Sequence, residues 1–366
     1  MAGGKKQDKG KKNTLSKNKQ KALQREQDRK QAVFNAFSNH YEQEWGAERW
    51  QGLLEALQKP VRHCLLINKY CHTDDLGTKL TPLASNLERL EYLQTRCLVS
   101  RDQSRYPPPS HDRHKLRDYY ILDAGSVLAT EALELEPHDH VLDLCAAPGG
   151  KSLAILQKLD PRMGGQLTVN ELSNDRRRRL RQVLDEYLPP DVVEESITVT
   201  GRDGTKRYSE PEQYDKVLLD APCSSERHLL HDEKEFEMWS PKRTVINAKR
   251  QLALLKAAAY SVAVGGLVVY GTCSISSVEN DKVISKMLRK GKVPLEVVRR
   301  KWPIGEPTKY GWIVLPDKTE GWGPLFFAVL RRTGVEKEDK VASEDEEEED
   351  HAQEEQGEEE EEEEGA

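Results

Sequence analysis

Two cysteines follow apolar runs closely: Asp220-Ala221-Pro222-Cys223 after DKVLLD (215–220), and Thr272-Cys273-Ser274 at the end of LVVYGTC (267–273). A deprotonated thiol is a strong nucleophile that adds to electron-poor carbon. Most free cysteines are instead small buried hydrophobes, so either thiol alone reads as packing. Read as strands of one parallel sheet, the two runs bring Cys223, Cys273 and the acid Asp220 to one crevice. A third run ends there too: Val141-Leu142-Asp143-Leu144 leads into Cys145-Ala146-Ala147-Pro148-Gly149-Gly150-Lys151. A loop of such small residues between a strand and a helix lets backbone N–H groups approach a ligand closely. Glu171 ends the next run, QLTVNE (166–171), where a carboxylate can accept from two ribose hydroxyls. The G-x-G-x-x-G spacing is absent. Gly149-Gly150-Lys151-Ser152 lacks the first glycine of a Walker loop, which disfavours NAD and ATP relative to another adenosine cofactor. Plain strand–turn–helix packing is the alternative reading of that loop.

The elements that must position these residues follow from periodicity. From Val33, apolar residues at helical spacing predict two helices, the second stopping before Pro60. Residues 61–105 look mixed, with a helix expected over 83–97, and Tyr106 to Pro109 punctuate the chain. Beyond it a helix is expected around 119–134, then a strand at 140–145 and a helix from Lys151. Strands at 166–171, 196–200, 215–220 and 267–273 alternate with helices at 174–187, 244–263 and 278–290, and the apolar run 325–332 closes the series. The alternation predicts an α/β fold with a mostly parallel sheet covered on both faces.

The 366 residues carry 56 basic and 63 acidic side chains, a net charge of −7. The charges are segregated. Residues 1–31 hold 11 Lys/Arg against 3 Asp/Glu, and residues 334–366 hold 2 Lys against 19 Asp/Glu, leaving 43 against 41 between. The bulk charge therefore describes the tail, and it does not argue against a nucleic-acid partner. The expected layout is a basic disordered arm or frayed helix over 1–31, a mainly helical region over 32–118, an α/β domain over 119–333 and an acidic disordered tail over 334–366. No run of 18 apolar residues occurs, so no membrane span is expected. Six cysteines in a chain this long make no disulfide scaffold, and a reducing compartment is expected.

VLDLCAAPGGK, Glu171 with Arg176, DAPCSS and GTCS, in that order between Tyr119 and Arg331, resemble the SUN-type (NOL/NOP/SUN) RNA cytosine-5 methyltransferases. Ser38 to Tyr70, DYYILDAGSVL (118–128) and ERH (226–228) look like the mitochondrial-type branch that modifies ribosomal RNA. The resemblance implies a Rossmann-like sheet, S-adenosyl-L-methionine as cofactor, and 5-methylcytosine formed in RNA, in rRNA or tRNA. It implies Cys273 as the nucleophile at cytosine carbon 6, Cys223 in product release, and Asp220 on the cytosine edge. The cofactor set carried over is Cys145 to Lys151 (Cys145, Ala146, Ala147, Pro148, Gly149, Gly150, Lys151), Glu171, Arg176, Asp203, Gly204 and Asp220. Glu171 departs from the commoner Asp, and its reach still suits a ribose diol. A duplex hides cytosine from either thiol, so the substrate is a single-stranded or flipped nucleotide.

The remaining residues are weaker signals. His63-Cys64 and Cys71-His72 lack the usual zinc spacing, and no metal is expected. Arg176 to Arg179 and Arg181 read as a solvated helix face or as phosphate contacts. Arg227 and His228 read as substrate-backbone contacts or as exposed residues; Lys242 and Arg243 are at most phosphate contacts. Tyr41, Trp45 and Trp50 read as helix packing. The alternative to an enzyme is a non-catalytic RNA-binding or ribosome-assembly factor that keeps the fold; retention of both cysteines argues against it. A protein partner for targeting remains open. The Lys-rich N-terminus and acidic tail suggest the nucleus, nucleolus or cytosol, and the family resemblance suggests the mitochondrion.

Overall fold

The computed structural model of the chain describes residues 17–72, 85–206 and 212–336. Helices α1 (Lys17–Trp45) and α2 (Ala47–Gln58) lead into strands β1 (Cys64–Ile67), β2 (Leu87–Arg89), β3 (Cys97–Ser100) and β4 (Tyr119–Leu122). Helix α3 (Ala124–Glu131), β5 (His140–Asp143), α4 (Gly150–Leu156), β6 (Gln166–Asn170), α5 (Asn174–Tyr187), α6 (Pro190–Ser196) and β7 (Ile197–Thr200) follow. Then come β8 (Tyr214–Asp220), α7 (Glu226–His231), α8 (Glu233–Phe236), α9 (Lys242–Ser261), β9 (Val262–Thr272) and α10 (Asp281–Lys290). Strands β10 (Leu295–Val297), β11 (Glu306–Pro307), β12 (Trp312–Val314) and β13 (Leu325–Arg332) complete the chain as described.

The large sheet has the order β11-β12-β13-β9-β8-β5-β6-β7, with β10 pairing β13. Strands β5 to β9 run parallel, and β13 lies antiparallel beside β9. This is a Rossmann-like sheet. Its strand order reverses between β5 and β8, and ligands of open α/β sheets bind outside the carboxyl ends at such a switch point. Alternation along the strands supplies both faces: Val141, Leu218, Val269 and Phe327 pack towards α3, α4 and α5, while Leu142, Leu219, Val268 and Phe326 pack towards α9 and α10. Helix α5 illustrates the local code. Ser173 caps its N-terminus, and Leu180, Leu184 and Tyr187, spaced at one helical face, are its buried residues.

Several expectations change. The helix expected over 83–97 is not formed within its described part; β2 and the start of β3 stand there, in an antiparallel sheet of order β2-β3-β1-β4. Its first residues, 83–84, lie outside the described residues. The helix expected from 119 begins at Ala124, because Tyr119 to Leu122 pair with Cys64 to Ile67 and Asp123 then caps the helix. The small sheet therefore crosses the boundary expected at residue 119. Residues 17–31 are helical rather than disordered. Arg29 pairs there with Glu237, and Lys30 Nζ lies 2.5 Å from a Glu233 carboxylate oxygen, which fastens α1 to α8. Residues 1–16 and 337–366, the remainder of the arm and nearly all of the acidic tail, lie outside the described residues. No helix among the described residues is long and apolar enough to cross a membrane.

Candidate active site

The loop after β5 is held open by glycine. Gly149 has φ +118°, and a Cβ on Gly150 would stand 2.7 Å from Tyr120 Cε1, so neither position takes a side chain unstrained. The Ala146 amide donates to Asn170 O, and Arg176 Nη2 donates to Ala147 O at 2.7 Å. Arg176 Nη1 also reaches Glu171 at 3.2 Å, while Glu171 Oε1 accepts from the Ser173 amide. Arg176 is thus a brace between the glycine loop and the acid at the end of β6. Its neighbour Arg177 donates to Glu171 O and Leu172 O, whereas Arg178, Arg179 and Arg181 are exposed.

Asn170 was not singled out from sequence, yet it ties three strand ends together. Its amide donates to Leu144 O and Arg202 O, and its Oδ1 accepts from Thr200 Oγ1 and the Arg202 amide. Asp203 turns its Oδ1 to the Thr205 amide and hydroxyl, and these two bonds hold its carboxyl below the ordinary range. Gly204 is buried, with Leu144 and Leu254 3.1 Å from the place of a Cβ. Asp143, at the end of β5, is buried, and burial pushes its carboxyl up to about 7. Its Oδ2 accepts from Ser152 Oγ at 2.7 Å, and its Oδ1 lacks a hydrogen bond of ordinary geometry. That orphaned acceptor, the small-residue loop and the braced Glu171 suit a ligand carrying both an ammonium group and a ribose.

Beside this cradle lies a cavity of about 430 Å³, walled by Lys151, Asp220, Cys273, Asp123, His228 and Pro60, among others. Adjacent parallel strands β8 and β9 deliver Asp220 and Cys273 to it. Lys151 Nζ donates to Asp220 Oδ2 at 2.7 Å. Burial opposes the Lys151 charge, but the Asp220 carboxylate outweighs it and holds the ammonium pKa above the usual value.

The two thiols meet: Cys223 Sγ and Cys273 Sγ lie 3.1 Å apart, both free, with Ser225 Oγ 3.1 Å from Cys273 Sγ. The pair is asymmetric. Cys273 sits below the ordinary thiol range through its hydrogen bond with Cys223; burial opposes this, and the hydrogen bond with Ser225 acts in the same direction as Cys223. Cys223 is pushed well above that range by the same hydrogen bond and by burial. Cys273 is therefore the more readily ionised thiol of the pair, and it is the one on the cavity wall. Ser225 takes a left-handed conformation, φ +54°, which aims its hydroxyl between the sulfurs. It was missed from sequence, although it stands inside the DAPCSS string.

Arg227 was read as a substrate-backbone contact or an exposed residue; it is not exposed, and it lines the cavity. It is buried, and its guanidinium donates to the carbonyls of Lys59, Pro60, Gly321 and Gly323. His228 is exposed at the cavity. Tyr41 and Trp50 stack with ring centroids 5.5 Å apart inside the packing of α1 on α2. Cys64 is buried in β1, and Cys71 Sγ donates to Leu116 O at 3.4 Å. Among the described residues the one His/Cys/acid cluster of metal-ligand dimensions is His228, Asp232 and Glu235, which includes neither of the His–Cys pairs named from sequence.

The family described as 16S rRNA methyltransferase RsmB/F matches residues 130–331. The tRNA (cytosine(34)-C(5))-methyltransferase, mitochondrial, of Danio rerio is 33% identical over 327 residues, covering 82% of this chain and 88% of the relative. The 5-cytosine rRNA methyltransferase NSUN4 of Mus musculus is 33% identical over 336 residues, covering 81% and 87%. The solved structure of NSun6 from Pyrococcus horikoshii with SFG superposes with a TM-score of 0.64 at 19% identity, covering 82% of this chain and 98% of that one, and shows the shared fold. S-adenosyl-L-methionine, with its ammonium, ribose and adenine, fits the cradle built from the β5 loop, Asp143 and Glu171. A match over more than half the chain, joined by full-length relatives, makes this protein a member of the RsmB/F family of RNA methyltransferases.

Proposed function

We propose that the chain methylates carbon 5 of a cytosine in RNA through a covalent adduct on Cys273. The single observation that carries this reading is the pair of cysteine sulfurs 3.1 Å apart, with Cys273 on the wall of the cavity beside the cofactor cradle. Cytosine carbon 5 is a poor nucleophile. Addition of the Cys273 thiolate to carbon 6 forms a sulfur–carbon bond and makes carbon 5 enamine-like. Asp220, held through Oδ2 by Lys151, keeps its second oxygen for the N3 and amino edge of the base, where charge develops. S-adenosyl-L-methionine supplies an electrophilic methyl group when bound. Loss of the carbon 5 proton then allows the sulfur–carbon bond to break, and Cys223 serves that elimination. Glu171, braced by Arg176, is the ribose acceptor; Asp203 and Gly204 border the adenine; the Cys145 to Lys151 loop lies against the methionine part.

The substrate is a single-stranded or flipped nucleotide, since the thiol lies inside a cavity. The basic helix α1, continuing an N-terminal stretch rich in lysine, adds sequence-independent phosphate attraction. Ribosomal or transfer RNA is the substrate class that the relatives' names support, and the mitochondrion is the compartment the Danio rerio relative's name supports. The test is transfer of labelled methyl from S-adenosyl-L-methionine into RNA, followed by nucleoside analysis. Label in 5-methylcytidine is expected; label in another nucleoside, or none with rRNA and tRNA alike, overturns the proposal.

A glycine substitution probes the cradle separately. Gly149→Ala forces a side chain into the left-handed region against Leu180 and Val183 and is expected to cost about 1–3 kcal/mol, part of it in cofactor binding. Calorimetric titration should then report S-adenosyl-L-methionine affinity at least about tenfold weaker, with RNA affinity retained.

A further inference from the structure

Behind the thiols lie two carboxylates that the proposed chemistry does not use. Glu226 and Glu279 are both fully buried, at 0% exposure. Glu226 Oε1 accepts from Tyr41 OH at 2.7 Å and from Ser274 Oγ at 2.8 Å, and its Oε2 accepts from the Ile275 amide at 3.1 Å. Glu279 Oε2 accepts from the Ser224 amide at 3.1 Å and from Gln251 Nε2 at 2.7 Å, while its Oε1 lies 3.5 Å from Ser274 Oγ. Gln251 also donates to Pro222 O. The donors named here are neutral amides and hydroxyls. Ser224 follows Cys223 directly, and Ser274 follows Cys273. The Ser274 hydroxyl bridges the two acids, so one carboxylate pair grips the backbone turn of each cysteine at once.

Two ionised carboxylates cannot share one dry hydroxyl without strong repulsion. Glu279 accordingly rises to about 7, first from burial and then from the Glu226 charge, and Glu226 rises from burial. A buried polar cluster of this kind is costly unless its geometry is fixed. The fixed geometry here is the apposition of Cys223 and Ser225 against Cys273 Sγ.

We infer that Glu279 and Glu226, joined through Ser274, are positioning residues that set the spacing of the thiol pair and so the reactivity of Cys273. This rests on the reading of Cys273 as the reactive sulfur, but it concerns the sulfur's environment and needs neither RNA nor cofactor to be tested. Loss of the Glu279 carboxylate frees the Ser224 amide and the 222–224 turn. Cys223 and Ser225 then leave Cys273, and the thiol pKa of Cys273 climbs towards its ordinary value. Glu279→Gln keeps an acceptor for Ser224 and a donor for Ser274 or Glu226, and it preserves the turn.

The experiment is peptide-resolved alkylation of the full-length chain by iodoacetamide between pH 6 and 9, with thermal unfolding measured in parallel. Glu279→Ala is expected to slow Cys273 alkylation at pH 7 by at least about fivefold and to move its pH profile upward, while Glu279→Gln stays within about twofold. A folded Glu279→Ala protein with an unchanged profile overturns the inference. Should Glu279→Ala not fold, Ser274→Ala decides: it removes only the bridging hydroxyl and is expected to move the profile in the same direction, and an unmoved profile overturns the inference. Failure of the methylation reading is distinct, because it leaves an altered alkylation profile without 5-methylcytidine in any RNA.

Discussion

Replacing Cys273 with alanine is expected to lower RNA methylation by at least about ten-thousand-fold while changing RNA affinity only a few-fold. The sulfur is the thiol among the groups named on the cavity wall, and without its addition carbon 5 keeps its low reactivity. The companion substitution has the opposite signature. Cys223→Ala leaves Cys273 on the wall with Ser225 Oγ still 3.1 Å away, so addition proceeds, more slowly for the lost hydrogen bond, but elimination is impaired. Incubated with RNA and S-adenosyl-L-methionine, Cys223→Ala should accumulate a protein–RNA species that survives denaturing electrophoresis. Cys273→Ala should form none. If Cys273→Ala methylates at the unmodified rate and Cys223→Ala yields no adduct, the two thiols have been given the wrong roles.

The second large effect is structural. Arg227→Ala should lower the free energy of unfolding by about 3 kcal/mol, read from denaturant titration. The guanidinium satisfies four carbonyls from two segments far apart in sequence, Lys59-Pro60 and Gly321 to Gly323, and Arg227 itself is buried between them. Arg227→Lys should recover little, because one ammonium lacks the planar fork that spans both segments. The same substitution loosens the wall carrying Pro60, Gly323 and Pro324, so KM for RNA should rise more than kcat falls. A loss under about 1 kcal/mol would mean that these carbonyls are rehydrated readily and that Arg227 is not a clamp.

The parts of this architecture legible in one dimension are those with local causes. The 174–187 helix coincides with α5, since Ser173 caps it and its apolar residues share one face. The strands expected at 140–145, 166–171, 196–200 and 215–220 form with ends shifted by one or two residues, and the apolar run 325–332 forms β13. Strand β9 starts earlier than expected, at Val262, because Gly265 at φ +86° passes within the strand instead of ending it. The segment around 85–100 misleads because Leu87, Leu90, Leu93 and Leu98 satisfy a helical spacing, yet the strands form instead, β2 pairing with β3 and β3 with β1. At the site, the motif residues are gathered around the carboxyl ends of β5 to β9. Asn170, Ser225, the Glu226–Glu279 pair and the carbonyl clamp made by Arg227 escaped the sequence because their partners are carbonyls, amides and hydroxyls, most of them distant in sequence. Polar residues of that kind look like surface until the fold encloses them.

Arg227 has one more consequence, in the order of assembly. Its partners come from the early chain at 59–60 and from the late chain at 321–323, and β13 must pair with β9 to hold the latter in place. Contacts of such high sequence separation form late, and during synthesis the chain emerges amino-terminus first. Strands β5 to β9 can pair, and Cys223 can meet Cys273, before the residues that finish the nucleotide pocket have been made. A growing chain thus carries the paired cysteines in an unfinished enclosure, and the wall that Arg227 clamps is completed when the final strand arrives.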